Sequence, residues 1–456
     1  MTSNHIKRLF PLSFALGLAF AAPVRAQSLV DLYESARAFD ATYLSARSQY
    51  EASVARGEQA RAGILPQVGL TSKITRTNTN TIFPPLPTSS TPGAALTGGS
   101  DSTSGNNTTS LSATQPLYNP AAVAANEQGK LGINVAREVL TLAEQDLIVR
   151  LAQAYFDVLA AQDALGTARA SKAAIAEQLA SAKRNFEVGT ATITDTREAQ
   201  ARYDLVIAQE IAAENDLRVK KIVLDQLVGK ANTDPKPLAA PVALPALQPA
   251  EVNTWLQRAD QDHPAIRQAA LGLEVARLDT VKAKAGHKPT LDLVGNYTNS
   301  NTSGASSAPV DSHSSVATVG VSFNLPLFAG FYTQNRIRET LSLEEKAQHD
   351  LDNAHRTVSQ NTRTAFFGVL SGQGLVKAYE AAEASTQSAL DANKLGYQVG
   401  VRINIDVLNS QSQLYQTKRD LAKARYDVLV GDLRLRQAAG MLTADDLRAA
   451  NALLVK

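Results

Sequence analysis

Residue types able to do chemistry come together at His349, Asp350, Asp352 and His355, a group that suggests metal ligation or acid–base work. The spacing does not support either. The six histidines (His5, His263, His287, His313, His349 and His355) include no HExxH pair, and the chain has no phosphate-binding glycine loop and no nucleophile elbow. The His349–His355 stretch therefore reads as a solvated helix face. The absence of cysteine excludes a disulfide framework and cysteine-based metal centres. The sequence predicts no enzyme, no metal site and no cofactor. What remains is a pair of matched short segments, Val188-Gly189-Thr190-Ala191-Thr192-Ile193-Thr194-Asp195 and Val399-Gly400-Val401-Arg402-Ile403-Asn404-Ile405-Asp406. Their chemistry is that of hydroxyl, carboxylate and guanidinium groups held at turns, which can form and break polar bonds.

The elements that position these turns follow from an internal duplication. Asp40 through Pro66 matches His263 through Pro289 at an offset of 223 residues. Gln115-Pro116-Leu117-Tyr118 matches Leu325-Pro326-Leu327-Phe328 at 210. From there Ala154-Tyr155-Phe156, Phe186 to Gly189, Asp195 and Gly229 match Ala365-Phe366-Phe367, Tyr397 to Gly400, Asp406 and Gly440 at 211. A constant offset over a long gapless stretch implies rigid helices, and the variable lengths fall in loops. Residues 27–250 form the first repeat. Residues 251–456 form the second repeat and a C-terminal tail. A proline-rich linker from Asp234-Pro235 to Pro249 joins the two.

Each repeat predicts one helix (28–64 and 251–286), two strands, a very long helix, a turn and a second long helix. In the long helices Leu140, Leu147, Ala154 and Ala161 recur every seven residues, interleaved with Leu151, Val158 and Leu165. Leu414, Leu421, Val428 and Leu435 do the same. A helix from Asn119 to Val188 would be about 100 Å long. The strands, predicted at 67–77, 108–116, 289–298 and 316–325, alternate apolar with small polar residues. Val68 and Leu70, then Val319, Val321 and Phe323, mark the apolar side. That alternation fits a barrel wall with lipid outside and water inside. Four strands cannot close a barrel, so several chains must contribute. Residues 78–107 and 299–315 lack periodicity and read as exterior loops.

The first 26 residues fix the compartment. Lys7 and Arg8 precede the apolar run Leu9 to Ala22, and Val24-Arg25-Ala26 supplies a cleavage site before Gln27. This is a secretory signal peptide over 1–26 and not a transmembrane anchor, because the run is short and bracketed by Pro11 and Pro23. Cleavage removes Lys7, Arg8 and Arg25, taking the formal charge from +2 to −1. Nothing in that balance suggests nucleic acid.

Taken together, the Leu65-Pro66 and Lys288-Pro289 strand entries, the Pro-Leu-Tyr and Pro-Leu-Phe exits and the two hairpin turns resemble the TolC family of outer-membrane efflux and type I secretion channels. The resemblance covers essentially the whole mature chain. It implies a mainly helical protein with a β-barrel portion. Three chains would form a 12-stranded barrel in outer-membrane lipid above a periplasmic barrel of coiled-coil helices. The linker and the tail after Met441 would girdle its middle. It also implies a passive exit duct serving a periplasmic adaptor protein and an inner-membrane transporter of the RND or ABC type. A pore-less structural coiled-coil protein of the periplasm is the alternative function. The matching residues imply a latch of Thr194 and Asp195 with Tyr397 and Arg402, with bonds expected from Arg402 to Asp195 and from Tyr397 to the same hairpin. They imply adaptor docking at Val188, Gly189 and Thr190 and at Val399, Gly400 and Val401. Asp406 and Asn409 stand at the implied pore constriction, where some members carry two acids. Here the second is neutral.

Overall fold

In the computed structural model, residues 27–82, 99–239, 244–304 and 311–455 are described; the signal peptide, 1–26, lies outside them. The predicted first helix is two helices, α1 (Leu29–Phe39) and α2 (Ala41–Arg61), followed by a 3-10 turn. Its counterpart in the second repeat is likewise two, α5 (Val252–Asp262) and α6 (Pro264–Ala285). The breaks fall at matched residues. Asp40 leaves the helical region (φ −59°, ψ 116°), and its carboxylate accepts the Tyr43 N–H. At the other break His263 is extended and precedes Pro264, which cannot continue a helix across it.

The long helices carry most of the chain. They are α3 (Pro120–Glu187), α4 (Ile193–Val228), α7 (Tyr332–Gln398) and α8 (Asn404–Ala438). Asn119 caps α3 through the Ala122 N–H, with Pro120 at the first helical position. The heptad residues after the partly buried Leu140 are buried. Leu147, Leu151 and Val158 are fully enclosed, as is Leu435, and Leu414, Leu421 and Val428 are nearly so. The main core lies at mid-length of α3. There Tyr155 and Phe156 meet Leu29, Leu32 and Tyr33 of α1, Leu224 of α4 and Tyr426 of α8. The linker and tail close over this point. Tyr155 Oη donates to the Lys236 carbonyl at 2.9 Å, and Leu238 bridges to Leu454 beyond the last helix, α9 (Ala444–Asn451).

The strands β1 (Gln67–Ile82), β2 (Gly99–Tyr118), β3 (Thr290–Ser303) and β4 (Ser312–Asn324) form one antiparallel sheet in sequence order. They run farther than the alternation predicts. Residues 78–82 and 99–107 are paired strand rather than loop, as are 299–303 and 312–315. Apart from Ile82, Asp101 and His313 their composition is Ser, Thr, Asn and Gly, so the backbone ladder holds them with almost no apolar face to signal it. Nearer the helices the register sorts the faces. Leu70, Leu111, Tyr297 and Ala317 lie in one row, and Ala113, Gly295 and Val319 follow Val68 in the next. Val68, Leu70, Val319 and Phe323 are well exposed in the single chain. Among the described residues no helix is long and apolar enough to cross a membrane. Among the described residues the outer edges of β1 and β4 are unpaired.

Candidate functional site: the hairpin tips

The two hairpin turns are built alike. After α3 the Thr190 N–H donates to the Asn185 carbonyl at 2.8 Å and the Gly189 N–H to Phe186. After α7 the Val401 N–H donates to Gly396 at 2.9 Å and the Gly400 N–H to Tyr397. This six-to-one and five-to-two pattern needs a left-handed residue, and Gly189 (φ 78°) and Gly400 (φ 79°) supply it. The turns leave Val188, Val399 and Val401 largely exposed. The next helix starts differently in each repeat. At α4, Thr192 and Asp195 form a reciprocal capping box. At α8, Ile403 offers no capping side chain.

That difference decides which of the expected bonds form within one chain. Asp195 Oδ2 already accepts from the Thr192 N–H (2.9 Å) and hydroxyl (2.8 Å). Arg402 lies over Gly396, where an added Cβ would sit 2.7 Å from its Cγ. Its guanidinium faces Asp406 at 3.6 Å, one turn along α8. The expected Arg402–Asp195 bond is therefore absent within the chain. Tyr397 does reach the other hairpin, where its hydroxyl accepts from Asn185 Nδ2 at 3.3 Å. Thr194 is exposed at the start of α4.

The firmest tie between the hairpins is one the sequence did not announce. Asn404 is fully buried. Its Oδ1 accepts from Gln178 of α3 at 2.5 Å, and its Nδ2 donates to the Asp195 carbonyl of α4 at 3.2 Å. A buried amide with both ends satisfied holds its geometry well, and losing one partner leaves an orphaned polar group costing about 1–3 kcal/mol. Asp195, Tyr397, Arg402 and Asn404 thus border one cleft of about 720 Å³ between the hairpins. Farther along α8, Asn409 Oδ1 accepts from Arg202 of α4 at 2.8 Å. The only signal for Asn404 was its place between the apolar residues Ile403 and Ile405. Among the described residues no cluster of His, Asp or Glu is placed to hold a metal ion.

Comparison with known proteins accords with this architecture. The profile of the family described as "Outer membrane efflux protein" matches residues 32–230 and 255–441, one segment per repeat. The chain is 32% identical to outer membrane protein TolC of Escherichia coli (strain K12), covering 99% of this chain and 90% of that protein. It is also 32% identical to the alkaline protease secretion protein AprF of Pseudomonas aeruginosa, over 74% of this chain and 70% of that one. In fold it resembles the crystal structure of the Campylobacter jejuni CmeC outer membrane channel, with a TM-score of 0.75 over 100% of this chain and 98% of that chain at 15% identity. With both repeats matched and a relative aligned nearly end to end, the chain belongs to the outer membrane efflux protein family, as an outer-membrane exit channel whose helical part extends into the periplasm.

Proposed function

We propose that three copies of this chain assemble into a passive duct that is gated where the hairpins turn. The observation that carries this reading is the sheet. Four strands present an apolar row on one face and, among the described residues, leave both outer edges unpaired, so neighbours must complete the barrel. Three copies give twelve strands, enough to close around water. The duct works with a periplasmic adaptor protein and an inner-membrane pump of the RND or ABC type. The exposed valines Val188, Val399 and Val401, with Gly189, Thr190 and Gly400 between them, offer that adaptor a small apolar surface at each tip.

The gate consists of Thr194 and Asp195 on one hairpin and Tyr397 and Arg402 on the other, with Asn404 as the inner tie. Arg402 has donors to spare beyond its 3.6 Å approach to Asp406, so in the assembly it can also serve a neighbouring copy. Asp406 and Asn409 form the constriction, one acidic ring and one neutral ring, which favours cations less strongly than two acidic rings would. Exposed polar ties are worth only about 0.2–1 kcal/mol each. Repeated around the assembly, they sum to an energy that adaptor binding can overcome.

Single-channel recording tests the gate. Arg402→Ser, Tyr397→Phe and Asn404→Leu should each raise conductance, with Asn404→Leu having the largest effect because it removes two buried bonds. Wild-type conductance in all three would take these residues out of the gate.

A further inference from the structure

Beyond the tips, α3, α4 and α8 enclose a groove of about 420 Å³ that the latch does not use. Its wall carries two guanidinium groups, Arg202 and Arg419, and no carboxylate. Neither arginine makes an ion pair among the described residues. Each is steadied instead by a neutral amide. Arg202 Nη2 donates to Asn409 Oδ1 at 2.8 Å, and Arg419 Nη2 donates to Gln416 Oε1. Gln416 is itself fixed, its Nε2 donating to both oxygens of Asp420 at 2.8 Å. A guanidinium has five N–H donors, so both keep most of their capacity.

The rest of the wall supplies further neutral polar groups. Ser171, only 7% exposed, Gln209, Gln413 and Tyr415 line the same space. Two guanidinium groups with donors to spare and no carboxylate in the wall point to a ligand rich in acceptor oxygens. Two forks on facing helices suit an anion able to take bidentate bonds from each. The nearby acids do not cancel this field from within the groove. Asp420 lies behind Gln416, and Glu177 acts on Tyr415 from outside the lining.

We propose that this groove is a binding site for small polyvalent anions bearing phosphate or carboxylate groups, with Arg202 and Arg419 as the paired clamps. The site shares Asn409 with the proposed constriction but none of the latch residues, and its test needs no pore. Purified full-length protein in detergent at low salt is titrated calorimetrically with inorganic pyrophosphate. Binding should be saturable. Arg202→Gln and Arg419→Gln should each weaken it about tenfold, as expected for loss of charge-assisted bonds, and the double variant should abolish it. Arg356→Gln, which removes an exposed arginine on α7, should leave it unchanged. No binding by the unmodified protein would overturn the proposal, as would equal binding by the double variant. If instead the unmodified protein binds nothing and the double variant lowers the thermal stability of the oligomer, the clamps serve an acidic side chain of a neighbouring copy and the proposal fails.

Discussion

Asp40 and His263 occupy the same place in the two repeats and cap their helices with different groups. Burial works against ionisation of Asp40, but hydrogen bonds from Arg150 at 3.0 and 3.1 Å and from the Tyr43 N–H outweigh it. They hold the carboxyl below its ordinary range. His263 has no such partner. Its Nδ1 accepts the Ala265 N–H at 3.1 Å, and burial pushes its pKa below the ordinary 6.5. Both shifts are downward, so both caps stabilise the neutral-pH fold and weaken in acid. The windows differ. The Asp40 contribution is complete above about 3.8 and is lost as pH falls through its depressed folded value. The His263 contribution is complete above about 6.5 and declines as pH falls below that. Melting at pH 7.5 and pH 5.5 should therefore show an acid-induced drop in Tm that His263→Asn, a neutral cap, reduces. An unchanged drop would place the acid sensitivity elsewhere. At the tips, the place of Tyr397, Arg402 and Asp406 at the second turn was legible in the sequence because the duplication aligned that turn with the first, while the roles expected of them came from the family resemblance. Asn404, Asn185 and Gln178 were not, since neutral amides pair by local geometry that no sequence spacing records.

The turns show how one residue type does two jobs. Gly400 and Gly440 are both left-handed, at φ 79° and 72°. Around Gly400 nothing lies within 4 Å of where a Cβ would be, whereas at Gly440 that Cβ would sit 2.5 Å from the His263 Cα. Gly400→Ala should thus cost only the left-handed strain, about 1–2 kcal/mol. Gly440→Ala adds a clash with backbone that cannot rotate away, for a total of about 3 kcal/mol or more. Urea unfolding of the two variants side by side measures the difference, and equal losses would contradict the close packing of the α8 end against the α5–α6 corner. At this scale the long helices were legible because their seams repeat every seven residues. The breaks at Asp40 and His263 were less plain, because apolar spacing resumes on both sides and a single residue marks each corner, the capping Asp40 in one repeat and His263 before Pro264 in the other. The ends of the strands were hidden for another reason. From Asn78 to Ile82, across to Gly99 and on to Asn107, few apolar residues define a face, so the pairing rests on the backbone ladder.

For the whole molecule, length and incompleteness set the function. Helix α3 is 68 residues long and so extends about 100 Å, with its best-packed core at mid-length under the linker and tail. Above it stands an open four-stranded sheet with an apolar outer row, which is unstable as an isolated sheet in lipid. The sequence disclosed this plan through its duplication and strand alternation, and the family relationship accords with it. It did not disclose which polar groups meet at the tips, because those meetings depend on how α8 lies against α3 and α4. The proposed assembly is a closed, water-filled conduit made by several copies. Its most direct test is single-channel recording of the purified protein in a planar bilayer. Discrete, uniform conductance steps are expected, small while the tips are latched. Detergent-stable protein that inserts yet gives no discrete steps would contradict it.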